Sequence, residues 1–267
     1  MITKELMVRD KRMAFWDEGS GDVLLLVHGF PLSRKMWEAV IPALSASCRV
    51  LAPDLLGFGQ SSNDGAFDTM GQAADDLAAF LQALMIEKPV TLIGLSMGGY
   101  IAFEFWKRSP DKLARLLLCD TKATADAPQA IAQRHAMAQV ALEQGSKVAT
   151  EPMVSRLLGA ASQTQADIVE ALQTMMFSTP PSTIAAAQHA MAKRHSFEEV
   201  LGQIRIPCLV LCGAEDMLSP PAEMQRMASQ LPDAHFHVIE NAGHMVPMEQ
   251  PLVFVERVQE FLNATST

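Results

Sequence analysis

Ser96 stands at the centre of Gly94-Leu95-Ser96-Met97-Gly98, and its flanks decide what such a serine can do. The apolar run Pro89-Val90-Thr91-Leu92-Ile93 leads into it, and residues 100–106 continue as an apolar helix. A strand that turns at once into a helix needs small residues around the turn, because side chains there would crowd the close approach of strand and helix. A serine at the tip sits in strained backbone with its hydroxyl above the sheet edge. The free amides that open the helix, from Met97 on, point at any negative charge that develops there. Together these features suit attack on a carbonyl carbon and stabilisation of the resulting oxyanion.

A serine hydroxyl is a poor nucleophile at neutral pH, so it requires a base within hydrogen-bond reach and an acid to orient that base. In a parallel sheet all carboxyl ends share one edge, so residues that follow strands meet there however distant in sequence. Asp216 follows the apolar run 206–212 and Gly213-Ala214-Glu215, and His244 follows the run 234–239 and Asn241-Ala242-Gly243. His244 is therefore assigned as the base and Asp216 as the acid that fixes its tautomer. Asp120, after the run 113–119, is the rival acid, with Glu215 a weaker one. A further strand, 23–27, ends in His28-Gly29-Phe30-Pro31. That loop can set the amide of Phe30 beside that of Met97 as a second oxyanion donor, since Pro31 has no N–H. His28 reads as a structural imidazole bonded to loop backbone, and Phe30, Met97, Met217 and Met245 are expected to contact substrate.

The elements that must position these residues follow from patterning. Residues 6–8 and 13–17 read as short antiparallel strands at one edge, and 23–27 reads as a strand buried on both faces. A strand over 49–53 precedes a turn-rich loop in which Gly57-Phe58-Gly59 lacks the third glycine and the helix of a nucleotide fingerprint, and Asp54 reads as a turn cap. Helical spacing over 69–85 begins at Thr69 with Gln72, the form of a capping box. Alternation of strand and helix at this rhythm predicts a parallel, doubly wound α/β sheet. Between 121 and 199 the pattern changes to helical pieces over 128–144, 153–158, 165–176 and 182–192, broken by prolines. These predict an inserted helical cap whose Met137, Met153, Met175, Met176 and Met191 are mostly helix packing, with a few facing an adaptable apolar pocket. The expected division is a core of 1–120 and 200–267 with a cap of 121–199, the core closing in a helix over 251–262.

With 267 residues and 49% hydrophobic content, the chain can bury one substantial core. A net charge of −9 without a Lys/Arg run argues against nucleic-acid or anionic-membrane partners, and points to small neutral or apolar ones. Neither a signal-peptide pattern nor a long apolar stretch is present, which predicts a cytoplasmic protein. Cys48, Cys119, Cys208 and Cys212 read as core thiols, and His235 and His237 as solvent-facing residues of an outer strand.

His-Gly-Phe-Pro, Gly-Leu-Ser-Met-Gly-Gly, Gly-Ala-Glu-Asp and Asn-Ala-Gly-His-Met resemble the α/β-hydrolase superfamily over nearly the whole chain outside the cap. The chain is similar to small carboxylesterases and to 3-oxoadipate enol-lactonase-like hydrolases. The resemblance implies the α/β-hydrolase fold, with a mostly parallel eight-stranded sheet. It also implies a triad of Ser96, Asp216 and His244 with oxyanion donors at Phe30 and Met97, needing no metal or cofactor. Its implied activity is hydrolysis of a small, mostly uncharged ester or lactone through an acyl-enzyme, by a monomer or homodimer. Alternatives on the same residues are ligand sensing through a protein partner, carbon–carbon bond hydrolysis, for which Met245 replaces a usual tryptophan, and perhydrolysis.

Overall fold

The computed structural model describes residues 1–63 and 67–265. Its strands are β1 (Lys4–Val8), β2 (Lys11–Gly19), β3 (Val23–Val27), β4 (Arg49–Pro53), β5 (Val90–Leu95), β6 (Leu113–Cys119), β7 (Cys208–Gly213) and β8 (Ala234–Ile239). They form one sheet in the order β1-β2-β4-β3-β5-β6-β7-β8. β1 and β2 are antiparallel to their neighbours, and every pairing from β4 across to β8 is parallel. The eight-stranded, mostly parallel sheet matches the expectation.

Three helices precede β6: α1 (Ile41–Leu44), α2 (Met70–Ala83) and α3 (Met97–Arg108). Five lie between β6 and β7: α4 (Pro128–Gln144), α5 (Ser146–Thr150), α6 (Val154–Leu157), α7 (Ala166–Ser178) and α8 (Pro181–Ala192). After β7 come α9 (Pro221–Ala228), α10 (Val246–Glu249) and α11 (Pro251–Ala264). All of β3, β5 and β7 is buried, which is why these segments read as continuous apolar runs. Successive side chains of β3 enter opposite layers. Leu25 and Val27 join α2, α3 and α9 residues such as Leu77, Ile101 and Met224, whereas Leu24 and Leu26 join Ile41 of α1 and Phe254 and Val258 of α11.

The winding direction reverses at the centre. From β3 the chain steps outward to β4 and then returns to the far side of β3 as β5, so the loops after β3 and β5 diverge and leave a crevice at their carboxyl ends. β6 and β7 are hydrogen-bonded neighbours, so α4 to α8 are an excursion from that same edge. The predicted helices over 128–144, 165–176 and 182–192 are found within two residues of their ends. The piece at 153–158 is a shorter α6, and the five-residue α5 had no periodic signal to find.

Local signals explain two junctions. Thr69 Oγ1 accepts the amide of Gln72 at 3.1 Å, and Gln72 reaches back to the amide of Asp68 at 3.0 Å, which starts α2. Asp54 is more than a turn cap. Its buried carboxylate accepts the amides of Arg34 and Gln60, each at 2.7 Å, and pairs with the equally buried Arg34 guanidinium, which lies over Trp16. The pair anchors the loop after β4 to the segment after β3.

Candidate active site

The turn between β5 and α3 has the shape its glycines allow. A Cβ on Gly94 would collide with the carbonyl of Gly98, and one on Gly98 with the carbonyl of Val27. Between them Ser96 adopts φ 55° and ψ −113°, a conformation non-glycine residues avoid. Surrounding bonds hold it there: the Ser96 amide donates to Cys119 at 2.9 Å, and its carbonyl accepts Thr121 Oγ1 at 2.7 Å and the Gly99 amide at 2.9 Å. Thr121 is a supporting residue that sequence patterning passed over, because nothing local marks a hydroxyl that bonds across 25 positions.

Met97 is the first residue of α3, so its amide is one of those with no partner inside the helix. Its side chain is fully buried in the core, and so is that of Met245; neither belongs to the cavity at Ser96, which corrects the expectation that these two side chains contact substrate. Met245 fails because the α10 turn directs it into the layer shared with α11. Phe30 and Met217 do line the cavity. His28 Nδ1 bonds the Gly29 carbonyl at 2.9 Å and its Nε2 receives the Leu55 amide at 3.0 Å. An amide can only donate, so Nε2 is bare and the imidazole neutral, in line with burial pushing its pKa down. It shapes the Phe30 loop, as expected.

Asp216 and His244, both buried, meet through a 2.8 Å bond from Nδ1 to Oδ2. The other Asp216 oxygen accepts the amides of Leu218 at 2.7 Å and Ser219 at 3.0 Å. Burial alone would raise the Asp216 pKa; the adjacent His244 and these two amides outweigh it and hold the carboxyl below its ordinary value. Asp120 follows β6 at the same edge but differs in chemistry. Its Oδ1 accepts the Gly213 amide at 2.9 Å and its Oδ2 the Cys119 thiol at 3.2 Å, while burial and then the Asp216 charge push its pKa well up. One atom each of Asp120, Asp216 and His244 lies within 4.8 Å of the others. His244 Nδ1 and both Asp216 oxygens are already committed to hydrogen bonds, so this donor set suits an oriented imidazole better than a cation.

The His244 loop is pinned from two sides. Buried Glu249 accepts the amides of Gly243 at 2.8 Å and Met245 at 3.1 Å with one oxygen, and that of Gly159 at 2.7 Å with the other. The His244 amide donates to Leu157 at 2.8 Å, and Glu215 accepts the Ala160 amide at 2.6 Å. Glu215 thus holds the inserted helices rather than His244, and Glu249 escaped notice because α10 is a single turn.

Ser96 and His244 open on one cavity of about 330 Å³, bounded by Phe30, Met217 and the inserted helices. Of the five insert methionines, Met137, Met153 and Met191 line it, and Met175 and Met176 are buried in the layer beneath. Its charged lining is Lys122, Asp126, Arg134 and Arg156, none of which patterning had singled out.

Residues 22–251 match a family described as the alpha/beta hydrolase fold. The chain belongs to the α/β-hydrolase family. This hydrolase is similar along its whole length to a thermophilic esterase of Thermogutta terrifontis in a malate-bound structure, with 39% identity, a TM-score of 0.95 and full coverage of both chains. It is 28% identical to an (E)-2-((N-methylformamido)methylene)succinate hydrolase of Acinetobacter baylyi, over 99% of this chain and all of the relative. The enol-lactonase of Burkholderia xenovorans, at 23% identity over 97% of this chain and all of its own, shares the fold with a TM-score of 0.90. Among the described residues, no helix of this hydrolase is long and apolar enough to cross a membrane.

Proposed function

We propose that this α/β hydrolase cleaves a small carboxylic ester or lactone through an acyl-enzyme on Ser96. His244 Nε2 takes the hydroxyl proton as Ser96 Oγ attacks the acyl carbon, while Asp216 keeps the proton on Nδ1 and stabilises the imidazolium that forms. The carbonyl oxygen becomes an oxyanion between the amides of Met97 and Phe30, where each donor is worth about 3–4 kcal/mol of transition-state stabilisation. Collapse expels the alcohol oxygen, which takes the proton from His244; in a lactone it stays tethered to the acyl group. Water, activated by His244, then adds to the acyl-enzyme and frees Ser96 by the same steps in reverse.

The observation that carries this reading is the 2.8 Å bond between His244 and Asp216 beside the strained Ser96, with serine and histidine facing one cavity. The resemblance to a thermophilic esterase at 39% identity favours ester chemistry over the alternatives. In this reading α4 to α8 act as the cap and select the substrate. Turnover of p-nitrophenyl esters of increasing chain length and of a lactone panel tests it. Ser96→Ala is expected to lose activity by on the order of 10⁶-fold with an unchanged circular dichroism spectrum. Equal turnover by the variant would refute the mechanism.

A further inference from the structure

The cavity carries a charge that the composition of the chain does not suggest. Overall the protein is at −9, yet three of the four Asp, Glu, Lys and Arg side chains lining the cavity are basic: Lys122, Arg134 and Arg156 against Asp126. The partners of each decide what remains for a ligand. Lys122 is paired at 3.3 Å with Glu223, which lies outside the cavity lining. Asp126 is claimed twice, by Arg134 and by Arg194 at 2.6 Å, so its single charge cannot neutralise both guanidinium groups. Arg194 is not part of the cavity lining and lies over the Tyr100 ring at 4.2 Å. Arg156, in α6 beside the Leu157 carbonyl that accepts the His244 amide, is exposed and makes no side-chain hydrogen bond or ion pair among the described residues.

The lining therefore holds more cationic than anionic side chains, with Arg156 unpartnered, and a neutral acyl chain would not use that excess. A cleft lined by one sign of charge concentrates ligands of the opposite sign, and a guanidinium with free donors matches a carboxylate in a two-pronged bond. On the reading of Ser96 as an esterase or lactonase nucleophile, we propose that the substrate bears a free carboxylate besides its reacting ester, and that Arg156 receives it within the Arg134 field. The apolar Met137, Met153 and Met191 cover the carbon chain between the two groups. The substrate class is thus a half-ester of a short dicarboxylic acid or the corresponding acid-bearing lactone, in place of the neutral ligand that net charge alone suggested.

Monomethyl and dimethyl glutarate differ only in the free carboxylate, so their ratio of kcat/KM reads this subsite directly. The wild-type protein is expected to favour the monoester about tenfold or more, and Arg156→Gln to pull that ratio toward unity, chiefly through KM on the monoester. A ratio at or below unity in the wild type, or a ratio the substitution leaves unchanged, overturns the proposal. Calorimetric titration of glutarate dianion into Ser96→Ala, with and without Arg156→Gln, separates this from the esterase reading. If the p-nitrophenyl esters and lactones too are turned over no faster than by Ser96→Ala, the hydrolytic reading fails, and glutarate binding that depends on Arg156 still supports the anion subsite. Binding that is absent, or indifferent to Arg156, overturns it.

Discussion

Asp120 and Asp216 lie at one sheet edge within reach of the same histidine, and their environments push them apart. His244 and two amides favour the ionised form of Asp216, whereas burial beside that charge disfavours the ionised form of Asp120. Only Asp216 bonds His244 Nδ1, and the ionised form of Asp120 is disfavoured, so the two asparagine variants should differ sharply. Asp216→Asn is expected to lower kcat by about 10⁴-fold, since the wrong imidazole tautomer results, and Asp120→Asn by less than about tenfold. Steady-state kinetics on one activated ester checks both, and the reverse order would make Asp120 the orienting acid. The rise in the Asp120 pKa also has a stability sign: its proton is bound more tightly folded than unfolded, so Asp120 erodes stability as pH climbs above the ordinary carboxylate value of 3.8. At this scale the meeting of Ser96, Asp216 and His244 was legible, because each follows an apolar run and parallel strands share their carboxyl edge. The directions of Met97 and Met245 were not, because which way a side chain turns after a strand depends on the packing of a helix, α10 or α3, that the residue itself begins or precedes.

Among the elements, the segments that follow β3 and β4 are tied together by a buried ion pair. Arg34 and Asp54 are 2% and 1% exposed, so removing one leaves the other charged and without compensation. Asp54→Ala is expected to cost about 3–5 kcal/mol, read as a fall in the denaturant midpoint without a change in slope. A loss below about 1 kcal/mol would mean water reaches Arg34 in the variant. Periodicity revealed the long helices α2, α4, α7 and α8 and the buried strands, since each repeats its pattern over several turns or a full run. It left α5 and the second role of Asp54 hidden. A five-residue helix completes little more than one turn, and an ion pair 20 positions apart leaves no local trace.

For the molecule as a whole, the two ends of the insert are tied to each other by ion pairs. Asp126, just beyond β6, binds Arg134 of α4 and Arg194 just after α8. Burial would raise its pKa, but the two arginines outweigh that and hold it below 3.8. The stabilisation is therefore complete above the unfolded value and is lost as pH falls through the lower folded value. Melting temperatures measured from roughly pH 5 to pH 2 should fall more steeply for the wild type than for Asp126→Asn, which has no such proton to gain. Parallel slopes would assign acid sensitivity elsewhere. Net charge is a poor guide to one cavity: −9 is a sum over the whole chain, and a cavity lining can carry the opposite sign. A last consequence concerns recombination. Residues 157–160 travel with the insert, yet they grip the His244 loop through Leu157, Gly159 and Glu249, with Gly243 too close to Gly159 to admit a side chain. Chimaeras that import a foreign insert while retaining 157–160 should keep a working histidine and acquire a new substrate range. Those that replace the four residues as well should fold and stand idle.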